Sequence, residues 1–190
     1  MKTQLIEYLR LLRSFPPDDG TLIAAAFEER QFREGDCLFQ AGKVCRQLFF
    51  VCQGIIKIDS ITDKGVERTH FFYSENKFCT ILQSFDEETP SEAWIRACCH
   101  AEVLVIGKAA LLDLYRRVPW FKEVVGQLLQ AHLIEKINVR NSYLGLDAEE
   151  KYRLFVDQHP GLAGRIAQQD IASFLGITPQ SLSRIRKQIR

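Results

Sequence analysis

The stretch QQDIASFLGITPQSLSRIRK, Gln168–Lys187, sets the reading of this chain. Ile171, Ala172 and Leu175 fall at i, i+1 and i+4, one apolar face of a short helix. Gly176 ends that helix, because glycine takes the left-handed conformation of a sharp helix stop at no steric cost. Thr178 suits the N-cap of a second helix and Pro179 its first position, where a missing N–H is no loss. Leu182 and Ile185, at i and i+3, turn inward on that second helix, while Gln180, Ser181, Arg184 and Lys187 turn outward.

Two short helices joined this way predict a helix-turn-helix, whose second helix can enter a major groove amino end first. The outward side chains suit that surface. Arg184 can donate twice to guanine, Gln180 can pair with adenine, and Thr178, Ser181 and Lys187 suit phosphate oxygens. The competing reading is an ordinary helical hairpin with a solvated polar face. Charge separates the two readings. Residues 151–190 carry seven Lys/Arg against two Asp/Glu, a net of +5, whereas residues 1–150 carry eighteen against twenty-two, a net of −4. A basic tail behind an acidic body is the polarity expected if the tail alone meets a polyanion.

The 190 residues suffice for one large domain or a medium one and a small one, and 46% hydrophobic content with 26% charge is that of a chain able to bury a core. The amino terminus MKTQLIEYLRLLR carries charges inside its apolar run, unlike a secretory signal, and no run approaches a membrane span. A cytoplasmic location, no membrane contact and reduced cysteines are therefore expected. Cys37, Cys45, Cys52, Cys79, Cys98 and Cys99 lack a cluster-binding spacing, and the neighbours Cys98 and Cys99 should face opposite ways on a strand. Buried inert thiols are expected, with a redox switch at an exposed one as the alternative. His70, His100, His132 and His159 are isolated from one another, and no nucleophile elbow, P-loop or dinucleotide fingerprint occurs. No metal site, no catalytic residue and no enzyme activity are predicted.

Upstream, Leu5, Leu9 and Leu12 mark an amphipathic helix over 2–14, Pro16–Gly20 reads as a breaker cluster, and Thr21–Glu29 as a second helix. Between about Arg30 and Gly107 the pattern turns to short strands: Gln31–Arg33, Cys37–Gln40, Gln47–Cys52, Ile55–Ile61, Arg68–Tyr73, Trp94–Cys99 and Val103–Ile106. Such spacing predicts an antiparallel barrel or jelly roll. A helix ending before Pro119 and a long one from Trp120 to about Ser142 follow; the latter's apolar face, with Val124, Leu128, Leu133 and Ile137, is wide enough to meet the roll and a partner helix together. Leu144-Gly145-Leu146 reads as a hinge, and Asp147 with Glu150 as a capping box.

REGDCLFQAG at 33–42, LFFVCQGIIKI at 48–58, TDKGVER at 62–68 and AWIRA at 93–97 resemble the cyclic-nucleotide-binding β-roll, and with the carboxyl-terminal motif the chain resembles the Crp/Fnr transcription regulators along nearly its whole length. The resemblance implies an α+β fold: a β-roll sensor at 1–118 with corners at Gly35, Gly42, Gly54 and Gly65, a dimerisation helix and hinge at 119–145, and a DNA-binding domain at 146–190. It implies a homodimer on a pseudo-palindromic duplex, with RNA polymerase left open as a further partner. The wing that often follows the family's reading helix is not expected, since the chain ends at Arg190. The cassette that holds the cyclic phosphate departs from the family. Cys79-Thr80 and Ser91-Glu92-Ala93 stand in its place, so the phosphate-binding arginine is missing and Glu92 would repel the anion. Cyclic AMP is not expected as a cofactor. The effector pocket is expected around Phe78, Thr80, Ser91 and Glu92, for a small apolar or cationic effector or none. The alternative function is a ligand-binding or protein-interaction module whose tail no longer reads DNA.

Overall fold

The computed structural model describes residues 1–189; Arg190, counted in the charge of the tail, lies outside the described residues. Two four-stranded antiparallel sheets form the amino-terminal body. The first runs in the order β1 (Glu28–Phe32), β8 (Ala101–Gly107), β3 (Gln47–Gln53) and β6 (Phe78–Cys79). The second runs β2 (Cys37–Phe39), β7 (Ala93–Ala97), β4 (Ile56–Ile61) and β5 (Glu67–Tyr73). The expected antiparallel jelly roll is the observed architecture. Strand β3 explains why its sequence, QLFFVCQ, shows no alternation of polar and apolar residues. Phe49 and Val51 point into the roll beside Ile56, Ile58, Ile95 and Val105, while Leu48, Phe50 and Cys52 point out into a second core under the helices.

That second core is capped by α1 (Lys2–Leu12), α2 (Pro17–Ala26), α4 (Lys108–Arg117) and the start of α5 (Pro119–Ser142). Leu5, Leu9, Ile23, Leu111, Phe121 and Val125 are its buried anchors. The Pro16–Gly20 cluster, expected to break the chain, instead starts α2. Pro17 takes the first helical turn, and Asp18 and Asp19 lie where the positive end of the helix dipole favours carboxylates. A short helix, α3 (Leu82–Glu87), and strand β6 are additions to the elements read from sequence.

Gly35, Gly42, Gly54 and Gly65, the four expected corners, all have positive φ. Gly54 is fixed twice over. Its φ is 91°, and a Cβ there would lie 2.3 Å from the His100 carbonyl oxygen.

The carboxyl-terminal unit contains α6 (Ala148–Gln158), α7 (Gln168–Leu175) and α8 (Pro179–Ile189). Asp147 Oδ1 accepts from the N–H groups of Glu149 and Glu150 at 2.9 Å, and Glu150 Oε2 accepts from Asp147 N–H, completing the expected capping box. This unit shares a core with the roll. Ile55, Phe72 and Cys98 pack with Phe155, Ile171 and Leu182 across the expected domain boundary at residue 146.

Candidate functional site

The helix-turn-helix forms as its residue pattern requires. Ala172 and Leu182 are fully buried where α7 meets α8, and Ile185 is nearly so. Gly176 ends α7 at φ 67°, and its neighbour Ile177 donates its N–H to Ala172. Thr178 caps α8, its Oγ1 accepting from the Ser181 N–H at 3.1 Å and lying 2.9 Å from the Ser181 hydroxyl. Thr178, Gln180, Arg184 and Lys187 are exposed and Ser181 is half-buried, so all five expected contact residues lie on α8 or its cap. Arg184 and Lys187 make no ion pair among the described residues.

Polar contacts fix α7 to the second sheet of the roll. Lys57 on β4 pairs with Asp170 in the first turn of α7 and with Asp59 at 3.2 Å. Arg96 on β7 pairs with Asp59 at 2.6 Å and with Glu67 at 2.8 Å. The Ser173 hydroxyl accepts from the Thr69 N–H and donates to the Glu67 carbonyl, each at 2.9 Å. Arg165 binds Glu75, which also accepts from the Gly54 N–H. Burial alone would raise the Glu75 carboxyl; these bonds more than offset it and hold the group below the ordinary carboxylate range.

The expected effector residues divide. Phe78 and Thr80 line a cavity of about 620 Å³ between the roll, α5 and the carboxyl-terminal unit, whereas Ser91 and Glu92 are absent from its walls. Ser91 is tied to the backbone of the 42–43 turn, and Glu92 is exposed at the start of β7. The Thr80 hydroxyl is directed away, donating to the Gln47 carbonyl at 2.9 Å. Sequence reasoning missed the polar wall of this cavity. Arg68 and His70 come from β5, His132, Lys136 and Arg140 from α5, and Lys151 from α6. A signal was present: His132, Lys136 and Arg140 recur every four residues beside Leu133 and Ile137, one stripe of a single helix. Among the described residues, no carboxylate lines the cavity. Of the expected effectors, a cationic one is at odds with this wall, because Glu92 lies elsewhere and cations stand in its place, whereas an apolar body suits its aromatic and aliphatic side chains.

The cysteines follow expectation in burial. Cys45, Cys52, Cys79 and Cys98 are buried, Cys99 is half-buried and Cys37 exposed. Burial pushes the Cys52 thiol up to about 11 and raises those of Cys37, Cys79 and Cys98. Among the described residues, no cluster of His, Cys, Asp or Glu could hold a metal ion, and no helix is long and apolar enough to cross a membrane.

Residues 29–118 match the family described as the cyclic nucleotide-binding domain. No curated protein matches the chain in sequence. Solved structures do match it in shape. The c-di-GMP-responsive global regulator CLP of Xanthomonas campestris superposes with a TM-score of 0.75 at 16% identity, covering 92% of this chain and 91% of its own. A transcriptional regulator of the Crp/Fnr family from Eubacterium rectale gives 0.73 at 14% identity, over 96% and 87%. The fold is that of the Crp/Fnr regulators. A CooA variant from Carboxydothermus hydrogenoformans gives 0.70 at 18% identity, over 96% and 83% of the two chains. In this Crp/Fnr fold the β-roll, the long helix and the helix-turn-helix occupy the order read from the sequence.

Proposed function

We propose that the chain is a sequence-specific DNA-binding transcription regulator that acts as a homodimer and does not depend on cyclic AMP. The observation that carries this reading is the reading helix itself. Helix α8 is capped, pinned by two buried residues, and presents Gln180, Arg184 and Lys187 to solvent without carboxylate partners among the described residues. The Crp/Fnr fold supports the regulator role. In this reading residues 1–118 sense, 119–145 join two copies, and 146–190 read DNA.

Dimerisation rests on α5. Its first turns bury Phe121, Val124 and Val125, but further along Leu133, Ile134 and Ile137 are 43–52% exposed. An apolar stripe left open on a helix that continues past its own domain suits a second copy of the same helix. Independence from cyclic AMP rests on the cassette. Arg96 is the one guanidinium on β7, and Asp59 and Glu67 already hold it. A buried cyclic phosphate would find no free guanidinium on that strand.

Selection of bound duplexes from a random-sequence pool tests the reading, with wild type beside Arg184→Ala. Wild type is expected to recover a palindromic motif with half-sites about one turn, roughly 10 bp, apart. The variant is expected to blur one symmetric pair of positions. No enrichment by wild type, with or without candidate effectors, would favour the module that no longer reads DNA.

A further inference from the structure

The 620 Å³ cavity has an unbalanced wall. Arg68, Lys136, Arg140 and Lys151 bring four cationic side chains to it, and no aspartate or glutamate joins them. Among the cations packed against the body of the protein elsewhere, Lys57, Lys77, Arg96, Lys108 and Arg165 each contact a carboxylate. None of the four cavity cations has such a contact among the described residues. Lys136 is the most exacting case. Burial lowers its proton affinity, and its ammonium rests 5.8 Å from the Phe71 ring centroid with no counter-ion. A half-buried ammonium without an anion is costly to keep.

A second feature is independent of charge. Three buried side-chain polar atoms among the described residues lack a hydrogen bond: Asp59 Oδ2, His132 Nδ1 and Tyr143 Oη. Asp59 Oδ2 has its ion pair with Arg96 at 2.6 Å. The other two belong to residues that line this cavity. Buried polar atoms are rarely left unpaired; the Tyr143 hydroxyl can donate to a ligand acceptor, and Nδ1 of a neutral His132 can accept from a ligand hydroxyl. The remaining wall is apolar and aromatic, with Phe71, Tyr73, Phe78, Leu129, Leu133 and Phe174 among its side chains. The volume is that of a small-molecule site.

We propose that this cavity binds a small amphipathic organic anion, an aromatic or aliphatic body carrying one acidic group, with the acid held by Lys136 and Arg140 and the body against the Phe71–Tyr73 wall. Among the described residues no lining carboxylate is placed to accept from a ribose hydroxyl, which sets this ligand apart from a cyclic nucleotide. The ligand would be the effector of the regulator proposed above, and the inference rests on that reading for its meaning. Its wall is drawn from all three parts of the chain: β5 of the roll, α5, and Phe174 and Leu175 of α7. Occupancy therefore bears on how the reading unit sits against the roll.

A matched pair of fluorescent probes tests the proposal on the intact protein without DNA. The anion 1-anilinonaphthalene-8-sulfonate and the neutral N-phenyl-1-naphthylamine share one aromatic body and differ by the sulfonate. Wild type is expected to prefer the anion by roughly tenfold or more, the range of a charge-assisted contact. Lys136→Met and Arg140→Gln are expected to reduce that preference to about twofold or less while leaving the neutral probe's affinity unchanged, which shows that the cavity is intact. Decanoate or naphthoate should displace the sulfonate more effectively than cyclic AMP at equal concentration. Equal affinity for the two probes in wild type, an unchanged preference in both variants, or stronger displacement by cyclic AMP would overturn the proposal. Because the assay contains no DNA, anion binding without duplex selection would sink the regulator reading and leave the site standing.

Discussion

Lys57 on β4 and Asp170 on α7 form an ion pair across the seam between the roll and the carboxyl-terminal unit, with side chains only 8% and 14% exposed. Asp59, fully buried, shares the lysine and passes the charge on to Arg96 and Glu67. The network ties one sheet of the roll to the first helix of the helix-turn-helix. Removing Lys57 strands Asp170 in so dry a place, at a cost of about 3–5 kcal/mol, whereas removing Asp170 leaves Lys57 its pair with Asp59.

A double-mutant cycle with Lys57→Met and Asp170→Asn should therefore be strongly non-additive, with a coupling of about 1–3 kcal/mol by chemical denaturation. Either single variant should also quicken proteolysis near Leu144-Gly145-Leu146, because the reading unit is less firmly held. Additive losses and an unchanged cleavage rate would show that the seam is kept by its apolar core and its other polar contacts.

Ile134 is half exposed on α5 and does not line the cavity. Ile134→Asp should weaken self-association at least tenfold, since a buried isoleucine contributes about 1.5–3 kcal/mol. Analytical ultracentrifugation reads the effect. A variant that associates as tightly as wild type would place the interface elsewhere.

Arg184 and Lys187 should fail differently. Arg184→Ala is expected to cost about 1–3 kcal/mol on a selected duplex and little on a scrambled one. Lys187→Ala should weaken both duplexes alike and lower the salt slope by about one unit. Titrations at several salt concentrations distinguish a base reader from a phosphate contact.

Burial lowers the proton affinity of His132 and His159. For such a base the unfolded chain takes up protons below the ordinary value near 6.5 that the folded protein declines. Stability from these residues is present above that pH and is lost as pH falls toward their lowered values. The melting temperature should drop between pH 7.5 and pH 5.5, before the carboxylates titrate, and His132→Gln should shrink the drop. A flat profile over that interval would mean the two rings are solvated.

The helix-turn-helix was legible because each of its residues has a local job: Gly176 stops a helix, Thr178 starts one, and Leu182 and Ile185 fill one crossing. The roll was legible from turn glycines and short apolar runs. The start of α2 was not, because Pro-Pro-Asp-Asp-Gly serves a helix N-terminus as well as a loop, and only packing of Gly20 against Phe15 and Ile6 separates the two. The cavity was legible only in part, through Phe78, Thr80 and the four-residue stripe of α5. Lys136 and Arg140 look like solvent-facing charge until the roll closes over one side of α5, and Lys57 and Asp59 look like a polar strand face until α7 covers them. Long-range contacts, which no local pattern encodes, made both sites.

Strand β3 lies between two cores and pairs with β8, joining Phe49 to Val105 across more than half a hundred residues of intervening chain. Neither core can consolidate until that distant pairing closes. Before it does, LFFVC is an uncharged, strand-forming segment with both faces open to solvent. The strand that finally unites the molecule is thus its chief hazard during synthesis, and slow closure of β3 against β8 sets how long the nascent protein is vulnerable to aggregation.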